Sequence, residues 1–420
     1  MMKRLRLPLQ HGASIIDSIE NLARQSEHCL ILDSHHHVDA YGKFERLIAW
    51  DAHAVLKTDG PDPLQELQAF RAKHQDWLLG HFSFDLKNKL EPLESSNSSP
   101  FAWADLQFFA PKNLVFCQKG QWFLESSSFK SAEELQQACH QDMPTDRPPL
   151  QYQAQSSLKD YLDDISSLKK ELQYGSIYEI NYCTLFEARG PLEPFARYRA
   201  LRQKHQAPFG GYYRDHSQHL LCFSPERYLR KIGNSLISQP IKGTTPRHPD
   251  PEKDEAQKAH LLESEKERAE NVMIVDLVRN DLSRTARKNS VSVPELFGLY
   301  SFKAVHHMIS TVRSELNAEK YSAEDAIRFS FPMGSMTGAP KISALELIDK
   351  HEHFKRGIYS GSIGYFDPEG DFDFNVVIRS IQYQEELQIA QVAVGSAITI
   401  HCDAEAEYKE CLLKAEKLIR

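Results

Sequence analysis

Short apolar runs bounded by turn residues alternate along this chain with longer stretches of helical periodicity. Residues 29–34 and 46–50 are apolar runs typical of strands. From 63 to 77 and from 156 to 173 apolar residues recur every three or four positions, which predicts amphipathic helices. Strand runs mixed with helix runs, without strict alternation, favour an α+β architecture with largely antiparallel sheets.

The second half of the chain continues this mixture. It predicts helices at residues 254–284, 340–350 and 404–419, and strands within residues 177–189, 211–231, 302–315, 357–366, 374–383 and 387–400. Residues 126–149 are polar and helix-like and end in a Pro-rich segment. This stretch is the best candidate boundary, dividing the chain into a β-rich region 1–148 and a second region 149–420 that pack as one globular unit.

Composition narrows the class of protein. The 420 residues are 41% hydrophobic and 26% charged with a net charge of −8, which is typical of a soluble globular protein. Basic residues are not concentrated on any one stretch, so a nucleic-acid partner is not expected, and no segment approaches the length of a membrane span. The seven cysteines show no CxxC pairing, which favours reduced thiols in the cytoplasm and argues against a structural zinc site.

Two short motifs carry candidate chemistry. Glu226 follows Ser-Pro, and Lys242 lies in Pro-Ile-Lys-Gly-Thr; a turn near Gly233-Asn234 separates the strands around them. Side chains at such strand ends can project into one cleft, where an amine can displace a hydroxyl that the acid protonates. A single Glu or Lys at these positions is, however, most often only solvated.

Two predicted helices each carry a carboxylate pair at i, i+3 spacing, Glu267 with Glu270 and Glu407 with Glu410. Both members of each pair therefore lie on one helix face, and Lys414 extends the second face by one turn. Facing pairs would repel unless a cation such as Mg²⁺ lay between them. Helix propensity alone instead favours solvated faces.

Several turns are suited to bind anions. Residues 331–341 form a Gly-rich turn that runs into a helix, without the spacing of a nucleotide P-loop. Residues 395–397 end a predicted strand, while Tyr359 and Arg379 are expected in the two preceding strands. Arg is the natural bidentate partner of a carboxylate, although either side chain can equally be structural. Together these groups suit a small dianionic substrate.

In their order along the chain these motifs resemble the chorismate-utilising enzymes, which include anthranilate, aminodeoxychorismate, isochorismate and salicylate synthases. The resemblance rests on Ser-Pro-Glu226, Lys-Glu-Arg-Ala-Glu270, Val-Asp-Leu-Val-Arg-Asn-Asp281, Gly-Ser-Met-Thr-Gly-Ala-Pro-Lys341, Tyr359-Ser-Gly-Ser-Ile-Gly-Tyr and Ile-Arg379, with Leu32-Asp33-Ser34 and residues 80–85 in the first region. It implies a large anthranilate synthase component I-like fold, in which two mostly antiparallel sheets pack together with helices outside.

Within the family, Lys242 is typical of component I of aminodeoxychorismate synthases, whose product leads to para-aminobenzoate and folate. The resemblance implies that Lys242 attacks C2 of chorismate while Glu226 protonates the departing C4 hydroxyl. Ammonia then attacks C4 and expels the lysine. Because the attacking amine must be neutral, we expect the pKa of Lys242 to be depressed.

The resemblance also assigns the binding residues. Glu270 and Glu410 would bind Mg²⁺, with Glu267 and Glu407 as supporting ligands. The implied substrate contacts are Gly243, Thr244, His307 and Ser335 along the ring, Tyr359 and Arg379 at the enolpyruvyl carboxylate, and Gly395, Ser396, Ala397 and Lys414 at the ring carboxylate.

The sequence departs from the family pattern in places. Glu179 stands where Gln or Lys is usual in the family. Ala397 lies in a turn that is usually Gly-rich and narrows access to its backbone. His401-Cys402 stand after this turn where Asp-Ser is usual. The family's amino-acid pocket maps to Ser34, residues 41–44, Pro208, Phe209 and Gly210, and whether it binds tryptophan stays open.

No Gly-x-Cys-x-Gly motif of a glutaminase surrounds any cysteine. Ammonia would therefore come from solution or from a separate glutamine amidotransferase subunit. Two other functions remain open, namely anthranilate synthase component I and a non-catalytic regulatory protein that binds chorismate or an amino acid.

Overall fold

The computed structural model describes residues 4–10, 12–139 and 142–419. In these ranges the helices are α1 (Gly12–Ala23), α2 (Pro63–His74), α3 (Lys87–Leu90), α4 (Ala132–Ala138), α5 (Leu158–Tyr174), α6 (Pro194–Lys204), α7 (Pro251–Glu263), α8 (Glu265–Ser283), α9 (Ala323–Ser330), α10 (Lys341–His351) and α11 (Ala404–Ile419). The strands are β1 (Leu5–Pro8), β2 (His28–Asp33), β3 (Arg46–Thr58), β4 (Leu78–Phe82), β5 (Leu106–Gln118), β6 (Gln121–Ser126), β7 (Gln153–Ala154), β8 (Glu179–Arg189), β9 (Phe209–Asp215), β10 (Gln218–Ser224), β11 (Arg227–Ile232), β12 (Ser235–Gln239), β13 (Ile241–Pro246), β14 (Ser292–Ser301), β15 (Val305–Glu315), β16 (Gly338–Ala339), β17 (Ser362–Phe366), β18 (Phe372–Asn375), β19 (Ser380–Gln384) and β20 (Ile389–Ile398).

All the strand pairs formed by the described residues are antiparallel, and two runs of strands diverge from the long pair β3–β5. β5 pairs with β3 along one edge and with β4 and β6 along the other. From β3 the first run continues through β2, β9, β10, β19, β20 and β8. From β4 the second run continues through β17, β18, β11, β12 and β15.

The two runs pack against each other across a shared hydrophobic core. One cluster combines Leu30 and Tyr213 of the first run with Leu79, Ile363 and Tyr365 of the second. Because side chains alternate between the faces of a strand, residues next to Leu30 point to the opposite face. The two packed sheets expected from the family resemblance are confirmed, and hydrogen bonds through β3 and β5 join them.

Helices cover the outer faces of both runs. The outer core of the first run includes Ile19 of α1, Tyr198 of α6 and Cys411 of α11. The outer core of the second includes Leu67 of α2 and Ile274 of α8. The predicted α+β class is therefore confirmed. Among the described residues, none of the helices combines the length and the apolar character that crossing a membrane requires.

Several predicted elements agree with the structure, and others are divided or absent. α11 has the predicted bounds, and α5 ends where Gly175 adopts φ +88°. The long helix predicted at 254–284 is wrong, because it breaks at Ser264, whose side chain accepts a hydrogen bond from the Glu267 amide and begins a new helix. The strand predicted at 374–383 is also two strands, separated by Arg379 at φ +51°. α6 and β14 were not predicted.

Strands of the two predicted regions pair with each other. β2 pairs with β9, and β4 pairs with β17. In the polar stretch 126–149 only α4 is helical among the described residues, and residues 140 and 141 lie outside them. The boundary near residue 148 stays a prediction.

Candidate active site

Glu226 and Lys242 lie at the strand ends where the sequence predicts them. β11 and β12 form a hairpin whose turn is Gly233-Asn234; Glu226 directly precedes it and Lys242 is in the following strand, β13. Glu226 is only 4% exposed, and the Lys242 side chain 10%. The interpretation of these two residues as solvated surface groups is therefore wrong.

Lys242 is paired with a carboxylate in the site. Its ammonium nitrogen donates a hydrogen bond to Oε1 of Glu179, a residue that is 1% exposed. Burial alone lowers the pKa of Lys242, but the negative charges of Glu179, Glu270 and Glu226 together raise it above the ordinary value. The expectation of a depressed pKa is wrong for the site without substrate and metal, because three carboxylates surround one amine.

Glu226 has the protonation behaviour of a general acid. Burial raises its pKa to about 7, although the Ser335 hydroxyl, the Lys242 charge and the Ile241 amide partly offset this rise. The Ser335 hydroxyl is itself buried and has no hydrogen-bond partner of good geometry within the described residues. An acid with a pKa close to the working pH both holds and releases a proton readily.

The carboxylate pairs of α8 and α11 are brought together. Glu267 and Glu270 lie at the start of α8 rather than in the middle of the helix as expected, because the helix begins at residue 265. The ammonium nitrogen of Lys266 lies 3.9 Å from Oε1 of Glu270 and 3.8 Å from Oε1 of Glu407. One positive charge therefore bridges the two helices.

This set of carboxylates fits a divalent cation in its chemistry. Burial and neighbouring negative charges raise the pKa of Glu270 to about 7 and raise those of Glu267 and Glu407. Burial also acts to raise the pKa of Glu410, but Lys414, Lys266 and Arg379 together lower it below its ordinary value. Carboxylate oxygens are hard donors, the kind of ligand that Mg²⁺ prefers, and a bound cation would offset the repulsion among them. Among the described residues, no three of these four carboxylates have oxygens all within 4.8 Å of one another. The four side chains are therefore neighbours, but their oxygens are not yet at the spacing of a complete ligand set.

Residues 395–397 of β20 lie beside this set. Nζ of Lys414 is 2.7 Å from Oε1 of Glu410 and donates a 2.9 Å hydrogen bond to the carbonyl of Gly395. A Cβ at Gly395 would lie 2.6 Å from Sγ of Cys183, so only glycine fits opposite that cysteine. These contacts hold the strand end next to Glu410.

The two residues after Gly395 have different surroundings. Ser396 is buried, with its hydroxyl 3.3 Å from that of Tyr161, and it lowers the pKa of Glu407 against the effect of burial. Ala397 is half-buried and pairs with Asn181 of β8. Ser396 thus connects β20 to the carboxylates of α11.

Thr244 and His307 face each other across β13 and β15. Nδ1 of His307 lies 2.8 Å from Oγ1 of Thr244. Burial and the charge of Arg379 lower the pKa of His307 to about 3, so its imidazole is neutral at physiological pH. Gly243 has φ +93°, and a Cβ there would lie 3.1 Å from Oε2 of Glu267, which shows that this strand passes the carboxylate set.

Tyr359 and Arg379 lie just outside strands, because β17 begins at Ser362 and β19 at Ser380; their expected placement within strands is wrong. Burial lowers the pKa of Arg379, and the charges of Tyr359 and Glu410 counter this, so the three groups are neighbours. The Arg379 guanidinium forms no salt bridge or hydrogen bond to any part of the chain that the structure describes. A guanidinium held without a partner is suited to bind a carboxylate.

The residues assigned to an amino-acid pocket do line one cavity. It has a volume of about 730 Å³, and Ser34, residues 41–44, Pro208, Phe209 and Gly210 contribute to its wall. Its lining does not include Lys242 or the carboxylates of α8 and α11. The Ser34 hydroxyl is buried and has no hydrogen-bond partner within the described ranges. The occupant of this cavity stays a prediction.

Sequence reasoning missed Lys266 as a site residue. Its ammonium group is the cation that joins the two carboxylate pairs, and its side chain is 58% exposed. The available signal was its i, i+4 spacing to Glu270, a standard arrangement for a helical ion pair. That spacing alone does not indicate that a second helix contributes Glu407.

The chain is similar in sequence to enzymes that bind chorismate. A family model described as chorismate binding enzyme matches residues 23–420. Aminodeoxychorismate synthase of Streptomyces pristinaespiralis is 41% identical over 276 residues, which are 65% of this chain and 38% of that protein. Aminodeoxychorismate synthase component 1 of Escherichia coli is 33% identical over 396 residues, which are 90% of this chain and 86% of that protein. The chain thus spans well under half of the Streptomyces relative and most of the Escherichia coli one.

Solved structures show the same fold. Anthranilate synthase component I of Streptococcus pneumoniae has a TM-score of 0.79 at 24% identity, covering 92% of this chain and 94% of that one. The menaquinone-specific isochorismate synthase of Escherichia coli has a TM-score of 0.80 at 18% identity, covering 100% and 94%. With a family model that matches nearly its whole length, this chain belongs to the chorismate-binding enzyme family.

Proposed function

We propose that this chain is component I of an aminodeoxychorismate synthase, which converts chorismate and ammonia into 4-amino-4-deoxychorismate for para-aminobenzoate and folate synthesis. One observation carries the proposal. Lys242, an amine in contact with the carboxylate of Glu179, is buried beside Glu226, an acid with a pKa of about 7. The aminodeoxychorismate synthases among the relatives support it further.

In the first displacement, the nitrogen of Lys242 forms a bond to C2 of chorismate. The two conjugated double bonds of the ring shift, the C4–oxygen bond breaks, and Glu226 gives its proton to the oxygen, which leaves as water. The pKa of about 7 keeps Glu226 protonated in a useful fraction of molecules at neutral pH.

Before it attacks, Lys242 must lose one proton. Glu179 is in direct contact with its ammonium group and is the nearest acceptor. A Gln at this position would accept a hydrogen bond but would not take a proton. Glu179 therefore suits the amine chemistry, although its charge raises the pKa of Lys242.

In the second displacement, ammonia forms a bond to C4, the two ring double bonds return to their first positions, and the bond from C2 to Lys242 breaks. One proton passes from Glu226 to the departing water, and the incoming ammonia returns one. The net reaction therefore consumes ammonia and releases water.

The remaining groups bind and orient the substrate. Arg379, next to Tyr359, has a guanidinium available for the enolpyruvyl carboxylate. We assign the ring to Gly243, Thr244, His307 and Ser335, and the ring carboxylate to Lys414 and residues 395–397.

Glu270 and Glu410, supported by Glu267 and Glu407, would hold Mg²⁺. The bound ion supplies positive charge to the ring carboxylate and offsets the repulsion among the four side chains. The raised pKa values of Glu267, Glu270 and Glu407 support this assignment, because burial first and neighbouring carboxylates second disfavour their negative charges, which a bound cation would stabilise.

The ammonia is proposed to come from a glutamine amidotransferase subunit. The relatives named component 1 support a partner of this kind. All seven cysteines are free, which fits a reducing compartment such as the cytoplasm.

The test is to identify the product. Purified protein is incubated with chorismate, MgCl₂ and an ammonium salt, and the product is assigned by its mass and ultraviolet spectrum. We expect 4-amino-4-deoxychorismate; anthranilate together with pyruvate would instead indicate an anthranilate synthase. Lys242→Ala should abolish turnover, whereas Lys159→Ala, at a side chain 82% exposed, should leave it unchanged. Unaltered turnover in Lys242→Ala would overturn the covalent mechanism.

A further inference from the structure

We propose that His28, Asp215 and His216 form a binding site for a divalent transition-metal ion, with Zn²⁺ as the ion that fits best. The three side chains each offer one ligand atom, and these atoms all lie within 4.8 Å of one another. The site is separate from the carboxylates of α8 and α11. Its ligands are two imidazoles and a carboxylate. The lack of CxxC pairs argues only against a structural zinc site built from cysteines.

The backbone holds the three residues together. His28 begins β2 and pairs directly with Asp215 at the end of β9. His216 follows in the two-residue turn to β10, with φ +52°, and its amide donates a 2.7 Å hydrogen bond to the Glu27 carbonyl. Two neighbouring strands and one turn therefore present the three ligands with little freedom to separate.

The carboxylate of Asp215 has one oxygen available to the site. Asp215 is 1% exposed; its Oδ2 lies 3.4 Å from Nζ of Lys57, whereas its Oδ1 has no hydrogen-bond partner in the described part of the chain. Nδ1 of His28 lies 3.1 Å from that Oδ1 and also lacks a hydrogen-bond partner there. These two atoms form an ion pair when the imidazole is protonated, and a metal ion bound to both would satisfy them when it is neutral.

The surroundings favour binding at the protein surface. The His28 and His216 rings are 4.9 Å apart, and the His216 side chain is 56% exposed. Glu27 adds a further negative charge, with Oε2 3.6 Å from Nδ1 of His216. Two imidazole nitrogens and one carboxylate oxygen suit Zn²⁺, and the open side leaves a fourth position for water. Mg²⁺ prefers oxygen ligands and is not expected to compete here.

A metal titration of the full chain tests this site. Protein stripped with EDTA is returned to buffer with excess MgCl₂, so that the carboxylate site is filled, and ZnCl₂ is added in a calorimeter. We expect one Zn²⁺ per chain and a rise in melting temperature, because an ion that binds the folded state stabilises it. Co²⁺ should give visible absorption bands at the same stoichiometry. Glu410→Gln should bind Zn²⁺ like the wild type.

Two variants remove one ligand each with little change to the fold. His216→Asn keeps a residue that tolerates the left-handed turn, and His28→Phe keeps the ring stacked on Phe109. Each should weaken Zn²⁺ binding by about 100-fold or more, since changes to groups outside the first ligands already cost 10- to 100-fold. His260→Asn, at an exposed helix position, is the matched control and should bind normally. Absence of Zn²⁺ binding in the wild type, or equal binding in His216→Asn, would overturn the proposal.

Discussion

Lys242 and Glu179 form an ion pair in which both side chains are buried, with the ammonium nitrogen hydrogen-bonded to Oε1 of the carboxylate. The pair joins β13 to the beginning of β8, two strands that are distant in the sequence. Because the proposed nucleophile is held by an acceptor for its proton, the charge of Glu179 should control the pH at which Lys242 becomes reactive.

Replacing Glu179 by Gln should move the upper of the two ionisations in the pH profile. The substitution removes a charge that raises the pKa of Lys242, so the amine becomes neutral at lower pH. We expect this upper ionisation of kcat/KM to shift down by about one unit or more. The profile is measured with ammonium in excess, and Glu255→Gln, at a side chain 73% exposed, is the control. An unshifted upper ionisation would mean that Glu179 does not govern the ionisation of Lys242.

Glu226→Gln should remove the general acid. We expect kcat to fall by roughly 10²- to 10⁴-fold, which is the usual contribution of proton transfer. In the wild type, the rise of activity with pH should level off near 7, because Glu226 then loses the proton that it must donate while the neutral fraction of Lys242 still grows. The variant should lack this inflection while its circular dichroism spectrum stays that of the wild type. An inflection at the same pH in the variant would assign that ionisation to another group.

Ser335→Ala should move the ionisation of Glu226 to higher pH. The Ser335 hydroxyl lowers the pKa of Glu226, so its removal lets the pKa rise further. The inflection near pH 7 should therefore move to higher pH, with a smaller loss of kcat than in Glu226→Gln. Ser290→Ala, at a half-buried turn residue whose hydroxyl hydrogen-bonds the backbone of Arg287 and Glu315, serves as the control. A shift to lower pH would contradict this account of the Glu226 carboxyl.

Glu270→Gln should make the protein without metal more resistant to heat at pH 8. The pKa of Glu270 is raised to about 7 in the folded state, so its contribution to stability is complete below its ordinary pKa and is lost as pH rises through 7. Gln stays neutral and removes this loss. We expect the melting temperature of the variant to exceed that of the wild type by roughly 2–4 °C.

Added MgCl₂ should reverse this order. It should raise the melting temperature of the wild type and have little effect on Glu270→Gln, with calorimetry giving Mg²⁺ binding at least about 10-fold weaker. Glu265→Gln is the control variant, because Glu265 is the exposed first residue of the same helix and does not belong to the carboxylate set. Equal Mg²⁺ binding by Glu270→Gln and the wild type would place the ion elsewhere.

Arg379→Gln should lose substrate affinity without loss of stability. The guanidinium has no salt bridge among the described residues, so the free energy of unfolding should change by less than about 1 kcal/mol. Loss of a charge-assisted pair with a carboxylate should raise KM for chorismate by roughly 10- to 100-fold. Arg313→Gln, an exposed position paired with Glu315 at 3.1 Å, should leave KM unchanged. An unchanged KM in Arg379→Gln would exclude the assigned contact.

Local sequence signals located most elements and the order of the motifs. The hairpin turn at Gly233-Asn234 and the terminal helix are local features, set by turn chemistry and by apolar periodicity, and both agree with the structure. The break at Ser264 was also a local signal, since Ser followed by Glu at the third position is typical of a helix start. Helical periodicity continues on both sides of Ser264 and therefore predicts one continuous helix instead of two.

The sequence by itself determined the fold class, the family and the residue types of the site, because these follow from local periodicity and from motifs in a set order. Only the tertiary structure decided the charge state of Lys242 and the partners of its neighbours. The pKa of a buried group depends on charges from other strands and helices, as Glu179 and Glu270 act on Lys242. Likewise, no spacing along the chain predicts that Lys266 of α8 meets Glu407 of α11, or that His28 meets Asp215, because packing and strand pairing create those distances.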